Sequence, residues 1–136
     1  MSFLNWKKET RIFEPADYTA DEVRQLFNVA AGDLIGIIIA RQIVAYNGSG
    51  TDAILEFGDS GDIDRFMDAG EIDETTGGAT GSFVRCAGAS GGGYVLYRNH
   101  LFTAEDTIDV IFTANTAGTR NAGRTEFTLY KARVRP

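Results

Sequence analysis

The sequence predicts an all-β protein, an antiparallel β-sandwich of the jelly-roll type with an extended N-terminal arm. Three observations carry this expectation. About eight short runs of β-branched and aromatic residues succeed one another, each bounded by Gly, Asn, Asp or Ser. Sixteen glycines against two prolines suit many tight turns between strands. No convincing long helix interrupts the series. Strands at this count and spacing suit a sandwich or jelly roll. The 136 residues make one domain, large enough to bury roughly two-thirds of its unfolded surface. Residues 1–17 form the arm and residues 18–136 the sandwich.

Within the arm, Phe3, Trp6 and Phe13 stand irregularly among Lys7, Lys8, Glu9 and Arg11, and neither a period of 2 nor one of 3.6 organises them. Pro15 then fixes an extended turn. The arm either folds onto its own domain or anchors its aromatics on a neighbouring subunit. Thr19–Val29 opens like a helix, yet Leu26–Val29 runs into the turn Ala31-Gly32-Asp33, so a strand is expected. Leu34–Tyr46 is a long β-branched run. Its near-continuous hydrophobicity suggests a central strand covered on both faces, with Gly36 at a bulge or a close backbone approach. Asn47-Gly48-Ser49-Gly50 is a turn.

Ile54–Phe57 reads as a strand that breaks at Gly58-Asp59-Ser60-Gly61. Ile63–Ala69 is too short for a helix and reads as a half-buried crossing segment. Thr75–Ala79 is a loop, Ser82–Cys86 a strand, Ala87–Gly93 an exposed Gly-rich loop and Tyr94–Tyr97 a strand. Thr107–Thr113 alternates cleanly, with Ile108, Val110 and Phe112 inward. Asn115–Gly123 is a polar turn. In the last strand, Thr125–Val134, Phe127 and Leu129 share one phase while Tyr130, Ala132 and Val134 take the other, which implies a bulge or a two-sided environment.

Little in the chain supports catalysis. His100, the one histidine, reads as a surface or turn residue with no Ser or Cys motif to pair with it. Cys86 reads as a small buried hydrophobe and cannot close an internal disulfide. Asp59, Asp62, Asp64 and Asp68 could offer oxygen ligands to calcium, but their spacing is not that of an EF-hand loop. Solvated acids on a strand connection are the commoner outcome. Paired carboxylates could serve a glycosidase, which needs a larger cleft than this chain can frame. Gly91-Gly92-Gly93 lacks the context and the Lys of a phosphate loop. No enzyme activity, cofactor or metal is therefore assigned.

Charge says more. The net charge of −6 argues against nucleic acid as a partner. The longest apolar run is too short to cross a bilayer, and the N-terminus does not read as a signal peptide; no membrane partner is expected. Asp52–Glu74 carries nine acids and Arg65, a local −8. Arg120–Pro136 carries Arg120, Arg124, Lys131, Arg133 and Arg135 against Glu126, a local +4. These blocks either meet within one subunit or face one another across subunits, where they would set register and orientation. In the second case Asp59, Asp62, Asp64, Arg120, Arg124 and Arg133 are the contact residues.

Gly58-Asp59, Asp62, Asp64-Arg65-Phe66, the second acidic step from Asp68-Ala69 to Asp73 and the following Thr75-Thr76-Gly77-Gly78 together resemble a class of small bacteriophage and prophage virion proteins of the head-decoration (cement) and fibre type. The similarity extends loosely from about Val29 to Val110, taking in Val29–Asp33 and Thr103–Val110. It is a pattern of strands and turns. The resemblance implies a structural protein on the outer surface of the virion capsid, made in the host cytoplasm. It implies the major capsid protein as partner and a homotrimer of jelly-roll subunits as the assembly. Phe3, Trp6 and Phe13 would then be the clamp. A receptor- or carbohydrate-binding module of a tail or fibre is the alternative, for which Tyr94 and Tyr97 beside the Gly-rich loop would be the expected aromatics.

Overall fold

The computed structural model of the chain describes residues 5–44, 54–67, 95–114 and 122–134. Among these lie eight strands: β1 (Lys7–Phe13), β2 (Glu22–Val29), β3 (Asp33–Val44), β4 (Ile54–Asp59), β5 (Asp62–Met67), β6 (Val95–Leu101), β7 (Asp106–Thr113) and β8 (Arg124–Arg133). They form two four-stranded sheets of order β1-β8-β3-β6 and β2-β7-β4-β5, and every described pair is antiparallel. Pairing is nested: β1 with β8, β2 with β7, β3 with β6 and β4 with β5. The all-β antiparallel class expected from the sequence is the class observed.

Strand alternation builds the core between the sheets. On β7, Ile108, Val110 and Phe112 are buried and their neighbours are half-buried, as a period of 2 requires when one face is covered. On β8 the buried series Thr125, Phe127 and Leu129 gives way to Ala132, the change of phase that the sequence implied. The two sheets meet through aromatic rings. Phe57 of β4 stacks on Phe127 of β8, with centroids 4.5 Å apart and planes at 22°. Phe13 of β1 meets Phe112 of β7 at 6.1 Å. Such pairs add roughly 0.5–1.5 kcal/mol to the burial itself.

Two segments depart from the sequence expectation, and the arm takes the first of its two alternatives, folding onto its own domain. The arm, from Lys7 to Phe13, is an edge strand of the first sheet, in register with β8 from Lys7↔Lys131 to Phe13↔Thr125. Its aromatics lacked a period because Trp6 and Phe13 are seven residues apart. An odd separation sends two side chains to opposite faces of a strand, and of the intervening residues only Ile12 is apolar. Ile63–Ala69 is a strand over its first part rather than a crossing, since β5 pairs back on β4 through the two-residue turn Ser60-Gly61. His100 sits in β6, which runs on to Leu101, and not in a turn.

The β4–β5 hairpin is closed tightly at Gly58, where the register shifts between Phe57 and Asp59. A Cβ at Gly58 would lie 2.2 Å from the Asp62 carbonyl oxygen and 2.3 Å from the Ile63 carbonyl carbon. Both are backbone atoms and cannot swing aside. Gly58→Ala should therefore destabilise at the upper end of the roughly 1–3 kcal/mol typical of overpacking, read by urea denaturation. Gly61→Ala is the control, because its added carbon meets nothing closer than 3.5 Å.

Candidate interaction surfaces

The sandwich has two open seams, and arginines close one of them. β1 and β2 are the edge strands on that side. Arg11 of β1 places its guanidinium 5.6 Å from the centre of the Phe27 ring in the opposite sheet. Arg24 of β2 returns the contact at 4.9 Å from Phe13, and it also pairs with Glu22. A cation over a ring face is favourable even when half-exposed. Phe13 is fully buried in this core, which removes it from the set of side chains that could reach a neighbour.

The outer face of the β1-β8-β3-β6 sheet is unusually apolar. Register sets Lys8, Tyr130 and Ile37 side by side, then Thr10, Thr128 and Ile39, with Leu34 between Ala132 and Leu101. The Thr10 and Thr128 hydroxyls are 3.2 Å apart on this face. A solvated sheet face normally carries polar residues. Here Leu34, Ile37, Ile39 and Tyr130 are half-buried, while Trp6, Ile12 and Leu101 remain 44%, 50% and 44% exposed. β3 is central, between β8 and β6, but only its inner face, where Ile35 and Ile38 are sealed, is fully covered.

Trp6 lies across this face at Gly36. The β3 register shifts between Ile35 and Ile37, so Gly36 is the expected bulge. A Cβ there would stand 2.6 Å from the indole Cη2, so the missing side chain makes the seat for the ring. Trp6, Gly36, Ile37, Asn99 and Tyr130 line an open groove of about 460 Å³. Sequence reading found Trp6 but not its seat.

The charged residues expected to reach across subunits are largely engaged within the chain. Arg133 Nε donates to Asp33 Oδ1 at 2.8 Å. The Ala30 amide donates to Asp33 Oδ2 at 2.9 Å, and Lys131 Nζ stands 3.8 Å from that oxygen and 3.3 Å from Glu9. Burial pushes the Asp33 pKa up, but the Ala30 amide, Arg133 and Lys131 outweigh it and hold the carboxyl below its ordinary value. Arg124 binds Glu14, Nε to Oε2 at 3.2 Å. These partners lie on β1, on β3 and in the segment after β1, not in the acidic block. Among the described residues, β8 belongs to one sheet and β4–β5 to the other.

Asp59 is 3% exposed and is the centre of its own cluster. Its Oδ1 accepts the amides of Gly61 and Asp62, each at 3.0 Å. Its Oδ2 accepts from Arg65 Nε at 2.5 Å, and Arg65 Nη2 reaches Oδ1 at 3.3 Å. This contact raises the Arg65 pKa, against burial. The Asp59 hydrogen bonds are thus made within its own hairpin. Asp62 is exposed and Asp64 half-buried on the same hairpin. His100 Nε2 lies 3.7 Å from Asp59 Oδ2, and its ring packs edge-on against Phe102 at 4.8 Å and Phe66 at 5.9 Å. Ser60 Oγ donates to Asp106 Oδ2 at 2.7 Å, tying the hairpin tip to the start of β7. A cleft of about 300 Å³ opens over this cluster. From the sequence His100 read as a surface or turn residue and Asp33 as part of a turn, because each gains its partners from segments distant along the chain.

Phe3, Asp68, Cys86, the 87–93 loop, Tyr94 and Arg120 lie outside the described residues. Among the described residues no group of three or more His, Cys, Asp and Glu side chains is placed to hold a metal ion, and no helix is long and apolar enough to cross a membrane.

No family model and no curated protein matches the chain in sequence. In fold, it is similar to a chain of the acidic stable capsid structure of Helicobacter pylori bacteriophage KHP30. The TM-score is 0.63 at 9% identity, covering 93% of this chain and 86% of that one. It is also similar to a chain of the cyanophage Pam1 capsid asymmetric unit, with a TM-score of 0.56 at 13% identity, covering 96% of this chain and 84% of that one. At such identities the likeness establishes the fold.

Proposed function

We propose that the chain is a structural protein of a bacteriophage virion. In this reading it is a capsid decoration, or cement, protein that binds the outer surface of the major capsid shell as a homotrimer and stabilises it by bridging subunits. The observation that carries the reading is the fold likeness to chains of two phage capsid structures over nearly the whole length of this chain. The nested strand pairing supports the jelly-roll expectation. The mechanism is physical rather than chemical: a rigid sandwich presents an apolar sheet face, and burying that face across a subunit boundary links the two sides. Trp6, half-exposed and already seated on Gly36, is the anchor proposed for the partner, with Ile12 and Leu101 on the same face. Aromatic anchors of this kind commonly dominate an interface.

Co-sedimentation of the purified protein with empty shells, with light scattering for its oligomeric state, tests this reading. The full-length protein should bind as a trimer. Trp6→Ala should keep its fold, since the side chain stands at the surface, and should bind about thirtyfold more weakly, the equivalent of a roughly 2 kcal/mol hot spot. If the full-length protein does not pellet with shells, the cement role is lost.

A further inference from the structure

We infer that His100 is a pH-sensitive latch between the two sheets: once protonated, it competes with Arg65 for Asp59 and loosens the β4–β5 hairpin from β6. The inference rests on the geometry of one cluster and does not depend on the virion role. β6 and β5 are edge strands of different sheets, and among the described residues His100 is a β6 side chain that touches the hairpin. It does so through the Phe66 ring and through Asp59, with Nε2 3.7 Å from Oδ2. That distance is too long for a hydrogen bond, and the oxygen is already taken by Arg65. The other oxygen holds the two amides that fix the turn. A second cation at Asp59 would therefore share Oδ2 with Arg65 and bring two positive charges onto one buried carboxylate.

The surroundings decide the sign. From β5, Arg65 opposes a charge on His100, while Asp62 and, from β4, Asp59 favour it; β5 also carries Asp64. Glu105 and Asp106, before and at the start of β7, line the same cleft, and Asp106 is engaged by Ser60. From β3, the register partner is the sealed and apolar Ile35. Asp33 at the head of β3 is held by Arg133 and the Ala30 amide. Burial, chiefly, and Arg65 keep the His100 pKa below its ordinary 6.5. A histidine whose folded pKa is depressed contributes stability that is complete above the unfolded value and is lost as pH falls from there through the folded pKa. Because the sequence has a single histidine, the interval between neutrality and the carboxylate range isolates this one side chain.

Ring-proton NMR of His100 and melting curves, both taken from about pH 7.5 to about pH 5, test the latch. The wild-type ring should titrate below 6.5, and its melting temperature should fall with acidification. The folding constant should drop by at most about tenfold per pH unit, the limit for one proton. His100→Gln should stay level across that interval. Arg65→Gln removes the competing cation, so its His100 should titrate higher than in the wild type. The Gly61 and Asp62 amides of the wild type should lose hydrogen-exchange protection on acidification while those of β7 keep theirs. That measurement stands even if His100→Gln fails to fold. Titration at or above 6.5, an unchanged acid response in His100→Gln, no rise in Arg65→Gln, or unaltered protection at Gly61 and Asp62 would each overturn the latch.

Discussion

Phe57→Ala is expected to destabilise the fold by about 3–5 kcal/mol, the range for removing a fully buried aromatic ring. Phe57 has no exposed surface, and its ring is the junction of the two sheets. It stacks on Phe127 at 4.5 Å and meets Phe27 and Phe66 at 6.1 Å each. The substitution leaves a cavity bounded by three rings from β2, β5 and β8, and strands in two sheets cannot collapse into it without losing register. Against a total stability of roughly 5–15 kcal/mol for a domain, the loss is about a fifth or more. Urea denaturation gives the difference, and the slope should be unchanged if the variant still unfolds in one step. Phe57→Leu keeps more of the volume and should lose less. A cost below about 1 kcal/mol for the alanine variant would mean that the rings do not join the sheets as described.

What the sequence revealed follows a physical division. β3 and β7 were legible because each keeps one face against the core over most of its length, so Ile108, Val110 and Phe112 advertise the strand. β5 was not legible, because its apolar residues Ile63 and Phe66 are three apart and so face opposite sides of the strand. Phe66 is sealed while Ile63 is 53% exposed. The pairing of Asp33 with Arg133 spans 100 residues, and no local pattern announces it. Nor do charge blocks announce partners, since they record composition along the chain, whereas the sheets place β8 beside β1 and β3. Trp6 could be picked out as an aromatic in a polar segment, but its seat exists only because β3 bulges at Gly36.

Removing the Asp59 carboxylate should cost about 3–5 kcal/mol at neutral pH, as expected when one partner of a buried pair is deleted. Asp59→Ala strips the Gly61 and Asp62 amides of their acceptor and leaves the Arg65 guanidinium, only 29% exposed, without its counter-ion. Asp59→Asn keeps an acceptor for the turn amides but no charge for Arg65, so its cost should fall between wild type and alanine. A cycle with Arg65→Ala should give a coupling of roughly 1–3 kcal/mol; a coupling near zero would show that Arg65 does not depend on Asp59. The same variants separate structure from contact. Asp59 belongs to the sheet opposite the one whose outer face holds Trp6. If its role is internal, folded Asp59→Asn should bind shells as the wild type does, while Trp6→Ala loses affinity. Weakened binding by Asp59→Asn with its melting temperature unchanged would return the hairpin to the contact surface.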